Sequence, residues 1–224
     1  MAKNRIFTAF ILVMIVCTGM AEHALAQNPT DYYIEDPRTF YGGLILGTNL
    51  SQVDGDSYAG YHKMGLNAGG IMYANLADHL AASIEILFSQ KGSRGHRVQE
   101  SGNAGEFINK YRIDLNYAEI PIQINYFDRR RSHFGGGFSY SQLISSKEII
   151  QTNLGSVNTD TLKFRKGDLN IVLGGSLHII KGLFLNVRFQ YSLFPIRTKD
   201  NINLNYGRAE QYNNLWAVRL MYLF

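Results

Sequence analysis

The stretch of residues 183–193, LFLNVRFQYSL, alternates between apolar and polar side chains with a period of two. The odd-numbered residues form an apolar face: Leu183, Leu185, Val187, Phe189, Tyr191 and Leu193. The even-numbered residues form a mostly polar face: Phe184, Asn186, Arg188, Gln190 and Ser192. Successive side chains of a β-strand point to opposite faces of the sheet, so this stretch is predicted to be a strand with two chemically different faces.

The same alternation recurs along the chain and predicts an all-β protein. The predicted strands are residues 40–50, 63–76, 80–93, 110–127, 132–146, 165–180, 183–196 and 211–224. Tight turns, such as Ala77–His79, Asp128–Arg131 and Lys181–Gly182, alternate with the long polar loops 51–62, 94–109, 147–164 and 197–210. Short turns at one end of a sheet and long loops at the other are typical of an eight-stranded antiparallel up-and-down transmembrane β-barrel.

The predicted strand 110–127 changes the phase of its alternation. Apolar residues stand at odd positions up to Tyr117 and at even positions from Ile120 onward. An extra residue near Ala118 would produce this change, so the sequence predicts a β-bulge there. Pro121 then falls on the polar face, where a bulge tolerates its missing N–H group.

The charged residues and the aromatic residues favour a barrel whose apolar face contacts lipid. The apolar face of each clear strand is nearly free of charge, whereas the other carries Glu85, Asp168, Arg188 and Arg219. Aromatic residues crowd the short-turn end and predict a girdle at one membrane interface: Phe40, Tyr41, Tyr126, Phe127, Phe134, Phe184, Tyr222 and Phe224. A soluble, periplasmic ligand-binding barrel with an apolar interior is the alternative.

The N-terminal residues have the three parts of a secretory signal. Lys3 and Arg5 precede an apolar run from Ile6 to Met20, and Ala24–Ala26 supply small residues for cleavage. The sequence therefore predicts a cleaved signal peptide at residues 1–26, an extended segment at 27–39 and a barrel domain at 40–224. An uncleaved anchor is the alternative. These features predict export to the outer membrane of a Gram-negative bacterium.

The charge composition argues against nucleic-acid binding. Lys and Arg total 22 and Asp and Glu total 18, so the net charge is only +4. The one basic run, Arg129–Arg131, falls in a predicted turn and is interpreted as a solvated turn. Neither a basic stripe nor a nucleic-acid reader motif is present in the sequence.

Several sequence stretches resemble a known family. These stretches are YGGLILGTNLSQVDGDSYAGYHKMGLNAGG, which begins at Tyr41, AASIEILFSQKGSRG, which begins at Ala81, YAEIPIQINYF, which begins at Tyr117, and FRKGDLNIVLGGSLHI, which begins at Phe164. Together they resemble the PorT-like outer-membrane β-barrel proteins of Bacteroidetes-type bacteria. The resemblance implies an eight-stranded outer-membrane barrel and a link to protein secretion. Phe224 also resembles the end-strand signal that barrel-assembly machinery reads, so it is expected to act as an assembly signal.

Four charged residues of the polar faces are predicted to lie inside the barrel: Glu85, Glu119, Arg188 and Arg219. An eight-stranded barrel has an interior just wide enough for its own side chains, and buried charges must be paired. These residues are therefore interpreted as a structural network of ion pairs in the barrel interior. A proton relay and a selective pore are the functional alternatives.

The sequence offers no catalytic, cofactor-binding or metal-binding motif. Its histidines show no metal-ligand spacing. The chain is therefore expected to be a non-enzymatic envelope component whose partners are outer-membrane lipids, the barrel-assembly machinery and other envelope proteins. An outer-membrane lipid-modifying hydrolase is the alternative, because His62 and His96 lie in predicted outer loops with serines nearby.

Overall fold

A computed structural model describes residues 39–58, 60–95, 98–101, 103, 105–157, 163–198, 202 and 207–224. The predicted signal peptide, His96 and all of the predicted extended segment except Thr39 lie outside these residues. Within the described ranges, no helix is long and apolar enough to span a membrane.

The described residues form ten strands joined in one sheet. They are β1 (Phe40–Asp56), β2 (Lys63–Ala77), β3 (Leu80–Arg94), β4 (Gln99–Glu100), β5 (Phe107–Phe127), β6 (His133–Thr152), β7 (Gly155–Ser156), β8 (Gly167–Ile180), β9 (Leu183–Ser192) and β10 (Gly207–Leu223). Eight of them form a closed antiparallel ring in the order β1-β2-β3-β5-β6-β8-β9-β10. Strand β10 pairs with β1 and closes the ring. Outside the ring, the short strand β4 pairs with β5 and the short strand β7 pairs with β6. The predicted eight-stranded up-and-down barrel is confirmed.

Each strand of the ring has one buried face and one more exposed face. In β9, Val187 points outward and is 41% exposed, whereas Arg188 points into the barrel and is 2% exposed. Apolar side chains cover the outside of the barrel from the short turns to about the level of Leu50, Ala118 and Trp216. We call this surface the apolar band.

Several strands of the barrel continue beyond the apolar band at the long-loop end. We call this part the extension; it contains residues 52–56 of β1, 107–116 of β5 and 145–152 of β6, among others. From Tyr111 to Asn116 of β5 its outward side chains are polar, namely Arg112, Asp114 and Asn116, and its inward side chains are apolar. Between Ala118 and Phe107, a tilted strand extends about 25–30 Å along the barrel axis beyond the apolar band.

The predicted bulge near Ala118 is wrong. The odd-numbered residues of β5 stay buried from Tyr111 through to Asn125, so the strand keeps its phase. The extra residue is in β6, because Asn116 pairs with Ser145 whereas Tyr117 pairs with Leu143. The apolar residues change face along β5 because the surroundings change at the end of the apolar band, while the backbone alternation continues.

Several strands also end at positions other than those predicted. Strand β1 extends to Asp56 and β6 to Thr152, so parts of two predicted loops are strands. Strand β9 instead ends at Ser192, before Pro195. The turn at Lys181–Gly182 is present as predicted, and Gly182 has a φ of +70°. Gly182 is required there, because a Cβ would lie 2.3 Å from the carbonyl oxygen of Leu223.

Candidate functional site

Glu85 pairs with two arginines inside the barrel. Its carboxylate accepts hydrogen bonds from Nη2 of Arg188 and from Nη1 of Arg219, the latter at 2.9 Å. The three side chains come from β3, β9 and β10, and each is at most 2% exposed. We call them the arginine cluster. Asn186 accepts two further bonds from Arg219, at 2.8 and 2.6 Å, and Gln123 donates to Glu85 at 3.1 Å.

Glu119 belongs to a second group of charges, which we call the lysine cluster. Nζ of Lys91 makes an ion pair with Glu119 and lies 3.9 Å from Oδ2 of Asp168. Ser141 donates a hydrogen bond to Glu119 at 2.8 Å, and Asn213 donates one to Asp168 at 2.9 Å. The lysine cluster links β3, β5 and β8 across the interior, and its three side chains are at most 3% exposed.

The structure therefore places the four predicted interior charges in two clusters. The sequence left open how these four charges pair; in the structure the partner of Glu119 is Lys91, which was not among them. Lys91 stands at an odd position of β3, like Glu85, so alternation along the strand already put it on the inner face. The clusters have opposite net charges. The arginine cluster contains one carboxylate and two arginines, whereas the lysine cluster contains one lysine and two carboxylates. Both arrangements link strands from different sides of the barrel through paired buried charges.

Aromatic side chains fill the barrel interior at the short-turn end. The ring of His133 stacks on Phe127, with centroids 4.3 Å apart, and His133 shares a hydrogen bond of 2.9 Å with the hydroxyl of Tyr73. Phe184 packs in the same cluster. The predicted girdle is therefore wrong for Tyr41, Phe127 and Phe184, which pack in or against this interior cluster. The other five predicted girdle residues are exposed on the outside: Phe40, Tyr126, Phe134, Tyr222 and Phe224.

The extension has an apolar core of its own. Ile113, Leu115 and Tyr117 of β5 are completely buried and pack with residues of β1, β6 and the loops. Tyr58 stacks on Tyr111 with centroids 4.6 Å apart. Burial, together with the nearby Asp56 carboxylate, raises the pKa of Tyr58 to about 12.

Two loop segments close the extension at its long-loop end. Ile196 and Phe164 pack in its apolar core. The Arg197 guanidinium lies 3.6 Å from the centroid of the Phe164 ring, and it donates hydrogen bonds of 3.1 and 2.9 Å to Glu148. These contacts tie the loop after β9 to the loop before β8 and to β6. In the described part of the chain, the interior is therefore filled with side chains at both ends.

Phe224 lies on the outside of the barrel, beside β1. Its backbone N–H donates a hydrogen bond of 3.0 Å to the carbonyl of Gly42, and its side chain is 63% exposed. A Cβ at Gly42 would lie 3.2 Å from the Phe224 ring, so the missing side chain makes room for it. Its expected role as an assembly signal remains a prediction.

Among the described residues, no group of three or more His, Cys, Asp or Glu side chains could hold a metal ion. Of the two histidines considered for a hydrolase, His62 is exposed in the loop between β1 and β2, and His96 is outside the described residues.

A closed β-barrel with an apolar outer band and a charged, paired interior defines the class of membrane-spanning β-barrels. The sequence matches the family model described as "Outer membrane protein beta-barrel domain" over residues 26–197, and the chain belongs to this family. It is therefore a protein of the Gram-negative outer membrane. The alternative of a soluble periplasmic barrel is wrong. In this class the short turns face the periplasm and the long loops face the exterior.

Solved structures of small outer-membrane barrels are similar to this chain. One is Ail, the attachment invasion locus protein of Yersinia pestis, with 12% sequence identity, a TM-score of 0.46 and coverage of 84% of this chain and 100% of Ail. Neisserial surface protein A has 8% identity, a TM-score of 0.44 and coverage of 84% and 98%. OprG from Pseudomonas aeruginosa has 10% identity, a TM-score of 0.38 and coverage of 83% and 94%. A search of curated proteins finds no match.

Proposed function

We propose that this chain is a non-enzymatic barrel that holds a rigid extension above the outer membrane, where the extension binds another envelope component. The observation that carries this proposal is the extension itself. Spanning the membrane requires only the apolar band, yet parts of β1, β3, β5, β6 and β10 continue beyond it, around a separate apolar core that includes Ile113 and Leu115. A folded surface of this kind is suited to presenting polar side chains in fixed positions.

The filled interior favours a closed barrel over a pore or a proton relay. The arginine cluster and the lysine cluster are buried and paired, and side chains occupy the interior at both ends. Paired charges in a packed interior act as cross-links between strands. We therefore expect the purified barrel to conduct no ions across a planar lipid bilayer.

Site-specific photo-crosslinking in cells tests the binding role. A photoreactive amino acid at Lys110 or Lys147, both exposed on the extension, is expected to capture the same envelope component. The matched controls are Ile122 in the apolar band and Asp78 in a periplasmic turn, and neither should capture it. Equal capture from Asp78, or none from several extension positions, would contradict the proposal.

The resemblance to the PorT-like proteins supports a narrower form of the proposal, in which the bound component belongs to a protein-secretion apparatus. A strain that lacks the chain is then expected to lose secreted proteins from the medium. Restoring the chain with the substitutions Lys110→Glu and Lys147→Glu should leave the barrel in the membrane without restoring secretion. Normal secretion in the deletion strain would remove this narrower form and leave the crosslinking test unaffected.

We also propose that the barrel-assembly machinery reads Phe224. The exposed ring of Phe224 and its hydrogen bond to Gly42 support this role, because the residue lies on the outer surface beside the seam between β1 and β10. Phe224→Ala should lower the amount of barrel in the outer membrane, while Phe40→Ala, also an exposed aromatic at this end, should not. Equal levels of both variants would contradict the role.

A further inference from the structure

The periplasmic end of the barrel carries an exposed group of positive charges. Arg129 and Arg130 stand in the turn between β5 and β6, and Lys181 stands in the turn between β8 and β9. All three are exposed, and among the described residues none of them forms an ion pair. We call these three residues the cationic turns.

The two turns are held next to each other by the sheet. Strand β8 pairs with the start of β6, His133 opposite Ser176, and then continues to Ile180 alongside the β5–β6 turn. The backbone N–H of His178 donates a hydrogen bond of 3.2 Å to the hydroxyl of Ser132. The positive charges of both turns are therefore on one side of the periplasmic end. The β5–β6 turn also carries the exposed residues Asp128 and Arg131, so the two turns together keep an excess of positive charge, whereas the β2–β3 turn carries the exposed acidic residue Asp78.

The cationic turns border a lipid-facing apolar surface. Phe134 of β6 is 66% exposed and Leu177 of β8 is 63% exposed. Ile179, one residue before the end of β8, is also exposed on the outside. Positive side chains at the periplasmic end of the barrel lie at the level of the lipid headgroups of the periplasmic leaflet. The neighbouring apolar side chains lie deeper in the membrane and contact the acyl chains.

We infer that the cationic turns bind the phosphate of an anionic glycerophospholipid in the periplasmic leaflet, with its acyl chains against Phe134 and Leu177. Arginine presents a planar fork of N–H donors that matches phosphate oxygens, and lysine adds a compact positive charge. A cation at a membrane surface strengthens the attraction of anionic lipid by about fivefold for each residue. A lipid with two negative charges should bind better than one with a single charge.

Spin-labelled lipids measure this preference in the reconstituted barrel. The full chain, processed in cells and purified, is placed in phosphatidylcholine vesicles with spin-labelled phosphatidylglycerol or phosphatidylcholine, and the motionally restricted fraction is measured. We expect the wild-type barrel to bind phosphatidylglycerol at least about fivefold more strongly than phosphatidylcholine. The preference should weaken as salt rises from about 0.01 M to 1 M, because exposed charges are then screened.

Matched variants locate the site. Arg129→Gln, Arg130→Gln and Lys181→Gln combined should abolish the preference. Lys110→Gln, Lys147→Gln and Lys166→Gln combined remove the same charge from the extracellular side and should preserve it. A folded barrel is expected to migrate differently on a denaturing gel before and after heating, because a closed barrel has no free edge from which to unravel. A variant that lacks this difference has not folded, and single substitutions then replace the triple variant. An equal preference in both triple variants would overturn the inference. So would the absence of a preference for phosphatidylglycerol in the wild-type barrel.

Discussion

The apolar band and the extension share the same strands but have opposite inside and outside surfaces. On β5, Ile120 and Ile122 face outward in the band, while Glu119 and Gln123 face the interior. Further along the same strand, Asp114 and Asn116 face outward while other side chains form an apolar core: Ile113, Leu115 and Tyr117. The hydrogen-bond ladder with β3 passes from one region to the other without a register shift.

This difference shows that the surrounding medium, and not the strand, decides which face is apolar. In the band, apolar side chains leave water by entering lipid, so the interior can hold polar and charged groups that pair with one another. In the extension the outside is water, so apolar side chains leave water only by packing together inside. The two regions should therefore respond in opposite ways to similar substitutions.

The largest effect is expected from Glu85→Gln in the arginine cluster. This change leaves two buried arginines without their common carboxylate, and the free energy of unfolding should fall by about 3–5 kcal/mol. Urea unfolding of the barrel in lipid vesicles measures this loss. Arg188→Gln should cost less, because Arg219 remains 2.9 Å from Glu85. Wild-type stability of the Glu85→Gln barrel would show that paired charges do not stabilise the interior of the band.

A core substitution in the extension should be the next in size. Leu115→Ala is expected to cost about 2–5 kcal/mol, because it leaves a cavity among buried side chains. Ile122→Ala on the outside of the band removes a similar volume, but lipid fills the space. The loss for Leu115→Ala should therefore exceed that for Ile122→Ala by about 1–2 kcal/mol in the same unfolding experiment. Equal losses would indicate that lipid also surrounds Leu115 or that Ile122 is packed in a core.

The outer surfaces can be compared by placing the same charge on each. Val187→Arg puts a cation against hydrocarbon and should cost about 2–4 kcal/mol if it lies near the middle of the bilayer. Gln151→Arg, at an exposed position of the extension, should change stability by no more than about 0.5 kcal/mol. Folding yield in vesicles and urea midpoints measure both. A Val187→Arg barrel as stable as wild type would place the odd face of β9 outside the membrane.

The smallest effect is expected from acid titration of the extension surface. Burial alone would raise the pKa of Asp114, but hydrogen bonds from Arg112 and Lys63 hold it below its ordinary value. The Asp114 carboxylate therefore contributes its full stabilisation at pH values above about 4, the pKa of an aspartate in the unfolded chain. This contribution is lost as the pH falls through the lower pKa that Asp114 has in the folded chain. The loss should be less than about 1 kcal/mol because the pair is partly exposed. Asp114→Asn should remove this acid-dependent step, and an unchanged pH profile in that variant would contradict it.

The sequence predicted the barrel and the band well, because apolar and polar residues alternate along the strands there, with the apolar residues facing lipid and the polar residues facing the interior. Val187 and Arg188 face the directions that their period of two indicates. The extension was harder to predict, because its inverted alternation resembles a bulge on β5, and because Gly55 and Asp56 of β1 are residue types typical of loops. Alternation also put Lys91 on the inner face. Its ion pair with Glu119 could not be predicted, because it depends on the stagger between strands, which is set by pairing between distant segments of the chain.

The change of environment along β5 can be measured directly. Cys17 is the only cysteine of the chain, so Cys17→Ser gives a background for single cysteines at outward positions. The labelled positions are 112, 114, 116, 120, 122 and 124, each carrying a fluorophore in vesicles that contain lipids with brominated acyl chains. Strong quenching is expected at 120, 122 and 124, and little quenching at 112, 114 and 116. Uniform quenching along the strand, or none at 120–124, would contradict a barrel that passes from lipid into water.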